Sequence, residues 1–574
     1  VIHPDRYESL GELLRDALVQ YKSHRALVEV SRKKIKRELS YLDFKKSAMV
    51  LAQRLKDAGV TSGTRVGIVM SNQPSWLISA YAVFYCGGVL VPIDFKLTAE
   101  EQGNLLRHCK AEVLITEYPS WLGLAWIDIP AKLKLVAEVP AGTTLEGAET
   151  WPKWPEVEPP EKDPEFVPRK RTDTATIVYS SGTGGRPKGC MLSHDAYLNQ
   201  YQSLLTLFPM DERTRYFSIL PTNHAIDFMV GFVGPMACGA TIVHQRTLRP
   251  EFILDTMRRL KITHMALVPL ILEAFERKLR EQLDATPSFY RSLFDGLASL
   301  NLELTRKKPN RALSKRLMSS VHGAFGGHLK YLFCGGAFVD RNRAEFFYKL
   351  GIPVVIGYGL TEVCTVATVN DLHPFRGDTV GKPVPGVEIR IVDPGNDPRG
   401  VGEVQIRGNT VMQGYLDDPE LTEESFDRSD AGGPWFRTGD RGWVDAAGHL
   451  HLVGRSKNMI VTEGGKNIYP EDIEGVFVDL PVDELAVFAA DYIWPREGLT
   501  GEQLVAVTRA KDANTRAVLD QLRQKNRSLP DFKRISGVVW WPDDFPRTAS
   551  MKVKRHELAA AVRNQQDRGA VMPL

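Results

Sequence analysis

The chain has 574 residues, of which 43% are hydrophobic and 25% charged, the balance of an ordinary globular protein. That length exceeds what one core organises, so two or more domains are expected. The 73 basic and 70 acidic residues leave a formal net charge of +3, which argues against a nucleic-acid partner held by a bulk positive field.

From Tyr7 to about Val167, helix-like segments such as Leu10–Tyr21 and Phe44–Ala58 alternate with β-like runs such as Arg65–Met70. The basic run Arg32–Arg37 reads as a solvated loop, with contact to anionic lipid as the lesser alternative. The stretch Trp151–Pro168, rich in proline and charge, reads as an extended surface connection. Next, the apolar run Thr174–Val178 leads into YSSGTGGRPKG, Tyr179 to Gly189. Its glycines let backbone N–H groups approach an anion, its hydroxyls add donors, and Arg186 and Lys188 add charge. A strand entering such a loop suits polyphosphate, although neither glycine register makes a Walker A motif.

From Thr174 to Asp393, short β-branched runs precede longer helical patterns, as in a mostly parallel sheet covered by helices. Three runs end in glycine clusters: Ile177–Tyr179, Leu329–Cys334 before Gly335-Gly336-Ala337, and Pro353–Ile356 before Gly357-Tyr358-Gly359. Ligands of open α/β sheets collect at the carboxyl ends of strands, so the clusters are expected to face one crevice. Beyond Asp393 the texture turns to short strands and turns. From about Lys457 a tail of strands (Met459–Val461, Leu485–Ala490, Leu504–Thr508) and helices (Pro470–Leu480, Thr515–Asn526) is large enough for a small α+β domain.

Six cysteines, with no CxxC pair, read as reduced, mostly buried thiols of a cytoplasmic protein. The first residues, which begin at Val1 and not at a Met, do not read as a charged-then-apolar signal peptide. The longest apolar stretches, 81–93 and 229–243, contain Gly and Pro and fall short of a membrane span, so membrane contact is expected to be peripheral at most.

The glycine loop, GYGLTE (Gly357–Glu362), TGD (Thr438–Asp440), GRSKN (Gly454–Asn458) and RTASMK (Arg547–Lys552) follow one another in that order. Together, from about Leu39 to Leu558, they resemble the adenylate-forming superfamily, which includes acyl-CoA synthetases, luciferases and peptide-synthetase adenylation domains. The resemblance implies an α/β fold. A large N-terminal region, 1–454, of parallel-sheet subdomains plus a small β-rich subdomain precedes a small mobile α+β domain, 455–574. It also implies ATP, Mg²⁺ and coenzyme A as cofactors.

Such chemistry joins two anions, a carboxylate and the α-phosphate of ATP, so the site must screen charge and align attack. By the resemblance, Ser180, Ser181, Gly182, Thr183, Gly184, Gly185 and Lys188 hold the β- and γ-phosphates. Gly335, Gly336 and Ala337 approach the adenine edge. Within the segment opened by Gly357 and Gly359, Tyr358 offers adenine a flat face, Thr361 gives the α-phosphate a donor and Glu362 binds Mg²⁺. Asp440 follows a Thr-Gly turn and, paired with Arg455, would accept from the ribose hydroxyls. Lys552 would bridge the two reactants, although Met551 stands where the family usually has Gly. Lys457 matches the hinge about which the small domain rotates, and Gly465 the passage of the pantetheine arm.

His224, in PTNHAID, matches the position that gates the acyl entrance. The residue after it is Ala225, where amino-acid adenylation domains tend to carry Asp, which counts against an amino-acid substrate. The long helical insertion between Pro269 and Gly335, with basic segments Arg306–Lys308 and Arg311–Arg316, resembles long-chain fatty acyl-CoA synthetases. The expected partners are therefore a fatty acid and CoA. The rivals are a fatty acyl-AMP ligase loading an acyl carrier protein, an aryl-CoA ligase, and a silent nucleotide-binding scaffold. Chain length and oligomeric state stay open, a homodimer included.

Overall fold

The computed structural model describes residues 2–180, 187–394, 397–461, 467–495, 503–510, 515–548 and 552–574. The chain divides into two compact units, residues 1–388 with 406–436, and residues 389–405 with 437–574.

The first unit holds two large sheets. In the nine-stranded one, Val354–Tyr358, Tyr331–Cys334, His264–Leu267, Arg215–Ser218, Thr241–Gln245 and Arg25–Ser31 neighbour one another in that order and run parallel. In the eight-stranded one, Thr174–Ser180, Val89–Ile93, Arg65–Val69, Val113–Glu117 and Leu133–Ala137 are parallel neighbours. All five residues of Val89–Ile93 and of Val113–Glu117 are buried. Parallel strands are covered on both faces, and that coverage is why these runs read as continuously apolar instead of alternating.

Helix Pro74–Tyr85 is buried along its whole length, which accounts for the apolar stretch at 81–93. Trp76 and Phe84 meet Phe228 edge-on, and Phe228 packs on Tyr197 with ring centroids 5.1 Å apart. Each such fully buried aromatic contributes roughly 2–3 kcal/mol. Two helices start on reciprocal caps, Ser40 with Asp43 and Thr98 with Glu101, each satisfying two otherwise orphaned N–H groups.

Two local readings change. Only Arg32 and Lys33 of the basic run form a turn; Lys34–Ser40 is an edge strand, antiparallel to Arg25–Ser31. Lys36 there pairs with Glu29 at 3.2 Å and Glu138 at 2.8 Å, and charge on an edge strand also deters unwanted pairing. The predicted helix Pro470–Leu480 is α-helical only over Pro470–Glu474, then tightens into a 3₁₀ turn at Gly475–Phe477, where glycine weakens the α-helix.

In the second unit, Asp440–Val444 of the strand Trp435–Val444 pairs antiparallel with Leu450–Arg455. Strands Glu484–Ala489, Leu504–Arg509, Ile535–Trp540 and Met572–Pro573 form a separate four-stranded sheet. Helix Thr515–Asn526 closes where Asn526 exchanges hydrogen bonds with the backbone N–H (2.9 Å) and carbonyl (2.8 Å) of Ile535. All six cysteines are free and buried. Among the described residues, no helix is long and apolar enough to cross a membrane.

Candidate active site

Strand Thr174–Ser180 turns back into strand Lys188–Ser193, with Ser180 opposite Lys188. The glycine segment therefore joins the two arms of a hairpin, and the next helix starts only at His194. This is not the strand-to-helix turn of a Walker loop. Ser181, Gly182, Thr183, Gly184 and Gly185 lie outside the described residues, as does Gly465.

The other two glycine clusters sit on adjacent strands of the nine-stranded sheet. Gly335 follows Cys334 directly, and a Cβ there would come within 2.9 Å of the Gly357 carbonyl. Gly336 adopts φ +82°, a region glycine enters without strain, and Ala337 is exposed. Gly357 and Tyr358 end their strand, and Tyr358 is buried. At Gly359 any Cβ would overlap the Thr365 carbonyl, so only glycine allows this turn. Thr361–Val363 forms a single 3₁₀ turn.

That turn brings Glu362 to the hairpin. The Tyr415 hydroxyl donates to Glu362 Oε1 at 3.1 Å, and the Met412 N–H donates to the Glu362 carbonyl at 2.8 Å. Tyr415 pairs with Cys190 of the hairpin, and its ring centroid lies 5.8 Å from Lys188 Nζ. Burial, and then the charge of Glu362, push the Tyr415 phenol above its ordinary range, so it remains a donor. Burial likewise pushes the Cys190 thiol well up, with Glu362 adding to the effect. Sequence reasoning missed Tyr415, because nothing in GYLDDPE distinguishes it from an ordinary packed tyrosine.

His224 opens the helical segment that becomes a π-helix over Asp227–Val233, a form that recurs at functional sites. The Thr365 hydroxyl donates to the Ala225 carbonyl at 3.0 Å, which ties the segment after His224 to the one after Glu362. Two further residues hold the loop before His224. Asn72 accepts from the Thr222 N–H at 2.8 Å. Asp227 accepts from the hydroxyls of Ser218 (2.7 Å) and Thr222 (2.9 Å). Burial raises the Asp227 carboxyl to about 7, against the lowering effect of these two hydrogen bonds. Gly231 one turn on leaves room for it, since a Cβ there would overlap the carboxylate.

Two cavities flank these elements within the first unit. One, of about 640 Å³, lies at the carboxyl ends of strands from both sheets and is lined by Asn72, Lys96, Glu117, Pro221 and Arg246 among others. The second, only about 20 Å³, is walled by Tyr201, Leu205, Phe208, Met229, Val230 and Phe333 among others. It is apolar and, as it stands, has room for about one water molecule.

In the second unit, Thr438-Gly439-Asp440 is not a turn but the middle of strand Trp435–Val444. Gly439 has φ +67°, and the Thr438 hydroxyl anchors the strand to the Val404 carbonyl at 2.7 Å. Asp440 sits directly opposite Arg455 in the ladder, with Nε to Oδ1 at 2.8 Å. Lys457 is exposed in the 3₁₀ turn Ser456–Asn458. Lys552 is exposed, its backbone exchanging hydrogen bonds with Thr548 (3.1 and 2.8 Å). Below it, Glu484 accepts from the Phe545 N–H (2.9 Å), Arg547 Nε (3.1 Å) and Arg509 Nη1 (3.2 Å). Nothing in the residues around Glu484 marks this support in advance.

The residues present fit Mg²⁺ and a nucleotide triphosphate. Mg²⁺ keeps several waters and takes one or two carboxylates plus phosphate oxygens. Glu362 offers one half-buried carboxylate, and among the described residues no group of three acidic, His or Cys side chains forms a dedicated metal cage.

A family model described as AMP-binding enzyme matches residues 14–416. The long-chain-fatty-acid–CoA ligase FadD15 of Mycobacterium bovis is 28% identical over 455 residues, 75% of this chain and 72% of that protein. The indoleacetate–CoA ligase of Aromatoleum aromaticum is also 28% identical, over 92% of this chain and 94% of that protein. Among solved structures, ATP-bound MatB from Rhodopseudomonas palustris superposes with a TM-score of 0.73 at 24% identity, covering 96% of this chain and 99% of that one. The o-succinylbenzoate coenzyme A synthetase of Bacillus subtilis, solved with ATP and magnesium ion, gives 0.72 at 21% identity over 95% and 98%. Adenylate-forming enzymes use ATP, Mg²⁺ and CoA, and with 403 consecutive residues matched to the family model (14–416), the chain belongs to the AMP-binding enzyme family.

Proposed function

We propose that the chain is an AMP-forming acid–thiol ligase whose acid is a long-chain fatty acid. In the first half-reaction a carboxylate oxygen attacks the α-phosphorus of ATP, and the bond to pyrophosphate breaks. In the second the CoA sulfur attacks the acyl carbon, its proton passes to solvent, and AMP leaves. Glu362 would hold Mg²⁺, which supplies charge neutralisation for the phosphates. The described part of the hairpin contributes Lys188 to the same charge, and Thr361 donates to the α-phosphate. Asp440, with Arg455, orients the ribose. Lys552 screens the two reacting anions, and Lys457 is the hinge between the two half-reactions, at the start of the mobile region 455–574. His224 gates the acyl entrance.

The observation that carries this reading is the assembly of Glu362, Tyr415 and Lys188, reached from three separate segments of the chain. The match to the long-chain-fatty-acid–CoA ligase FadD15 supports an acid with a hydrocarbon body, for which each buried methylene contributes about 0.8 kcal/mol. An arylacetic acid is the second reading, favoured by the long match to the indoleacetate ligase. Thioester formation from ATP and CoA, across acetate, octanoate, palmitate, benzoate and indoleacetate, tests the proposal. Turnover should rise with chain length and be greatest with palmitate. Preference for indoleacetate would move the substrate to the aryl class. Adenylate without thioester, relieved by a phosphopantetheinyl carrier protein, would replace CoA as acceptor.

A further inference from the structure

The insertion between strands His264–Leu267 and Tyr331–Cys334 carries a surface that adenylation does not use. Its longest helix, Ser288–Thr305, is seated on one face: Ala298, Asn301 and Thr305 are buried. Asn301 donates to the Lys349 carbonyl at 3.1 Å and accepts from Ser314 at 2.8 Å. Another face is open. Phe289 is 72% exposed, Leu293 50%, Leu300 43% and Leu304 56%, and Tyr290 beside them is 61% exposed. At 3.6 residues per turn, Phe289, Leu293, Leu300 and Leu304 fall within an arc of about 60°. Scattered exposed leucines are ordinary, whereas a stripe along one helix marks a contact surface.

Charge says what that contact is. Directly after the helix, from Arg306 to Arg316, the chain carries Arg306, Lys307, Lys308, Arg311, Lys315 and Arg316, and no carboxylate. The Ser314–Asn301 bond keeps helix Arg311–Leu317, with Lys315 and Arg316, against the same helix. An apolar stripe that ends at a cluster of cations, with exposed Glu303 flanking it, complements a lipid surface whose headgroups are anionic and whose interior is hydrocarbon. The tyrosine ring at its edge suits the headgroup level.

We propose that helix Ser288–Thr305 docks on an anionic bilayer surface, its Phe289–Leu304 stripe entering the headgroup boundary and Arg306–Arg316 facing lipid phosphates. Flotation of the full chain with vesicles tests this without reference to catalysis. Mixed phosphatidylglycerol–phosphatidylcholine vesicles should carry the protein at low salt and release much of it at high salt, and pure phosphatidylcholine should carry little. A Phe289→Ser/Leu293→Ser/Leu300→Ser variant and a Lys307→Glu/Lys308→Glu variant should each bind about tenfold less or weaker still. All five positions are exposed, and unchanged circular dichroism and melting would exclude misfolding. Absence of binding to the anionic vesicles, or equal binding by the stripe variant, overturns the proposal. So does a dimer in lipid-free solution that the stripe variant dissociates, since a second copy would then cover the surface.

Discussion

Tyr415 donates its hydroxyl to Glu362 Oε1 at 3.1 Å while its ring lies 5.8 Å from the Lys188 ammonium. One side chain thus meets both the proposed metal carboxylate and the proposed phosphate-binding cation. Tyr415→Phe keeps the ring and removes the donor. A hydrogen bond to a charged group contributes about 1.5–3 kcal/mol. The variant should need about tenfold more Mg²⁺ for half-maximal adenylation, with the protein still folded. An unchanged magnesium titration would show that Tyr415 only packs.

Lys552→Ala should lower adenylate formation by about a hundredfold or more, the scale of removing a preorganised charge from a transition state. Thioester formation from supplied acyl-adenylate should survive. Glu484→Gln weakens the footing of the same segment, because Glu484 holds Arg547 and the Phe545 N–H. It should reproduce the selective loss in milder form, about tenfold. Single-turnover rates for each half-reaction decide this. Equal loss in both halves contradicts the assignment.

Lys457→Pro fixes a backbone dihedral at the proposed hinge. Adenylate formation should persist within a few-fold, while transfer to CoA drops steeply. Comparing pyrophosphate release with thioester production separates the two, and parallel loss would remove the hinge from the account.

Asp227 predicts a pH dependence of stability. Burial raises its folded carboxyl to about 7 from an ordinary value of 3.8. Between those values the folded state holds a proton that the unfolded chain has lost, so stability falls as pH rises from about 4 to about 7 and then levels. Asp227→Asn keeps an acceptor for Ser218 and Thr222 and abolishes this slope. Relative to wild type it should gain on the order of a few kcal/mol across that window. Urea unfolding at several pH values measures it. Parallel pH profiles would show that the carboxyl titrates normally.

The parallel α/β architecture was legible because fully buried strands such as Val89–Ile93 leave unbroken apolar runs, punctuated by glycines. Gly359 was legible for a related reason, since its turn admits no side chain against Thr365. Tyr415 and Glu484 were not, because their roles depend on partners 53 and 63 residues away in Glu362 and Arg547. Lys34–Ser40 was misread because an edge strand facing water needs no apolar alternation, and its pairing with Arg25–Ser31 decides its form. The TGD segment looked like a turn because Thr-Gly-Asp is turn chemistry. In the structure Gly439 takes its positive φ inside a strand, and ladder partner Arg455 takes the Asp440 carboxylate.

Acid-dependent exchange of labelled pyrophosphate into ATP, without CoA, tests the central claim most directly, because it reports reversible formation of a mixed anhydride alone. The wild-type chain should show exchange with palmitate that requires Mg²⁺ and disappears in Lys552→Ala. A folded, ATP-binding chain that gives no exchange with any fatty or aryl acid would contradict the account.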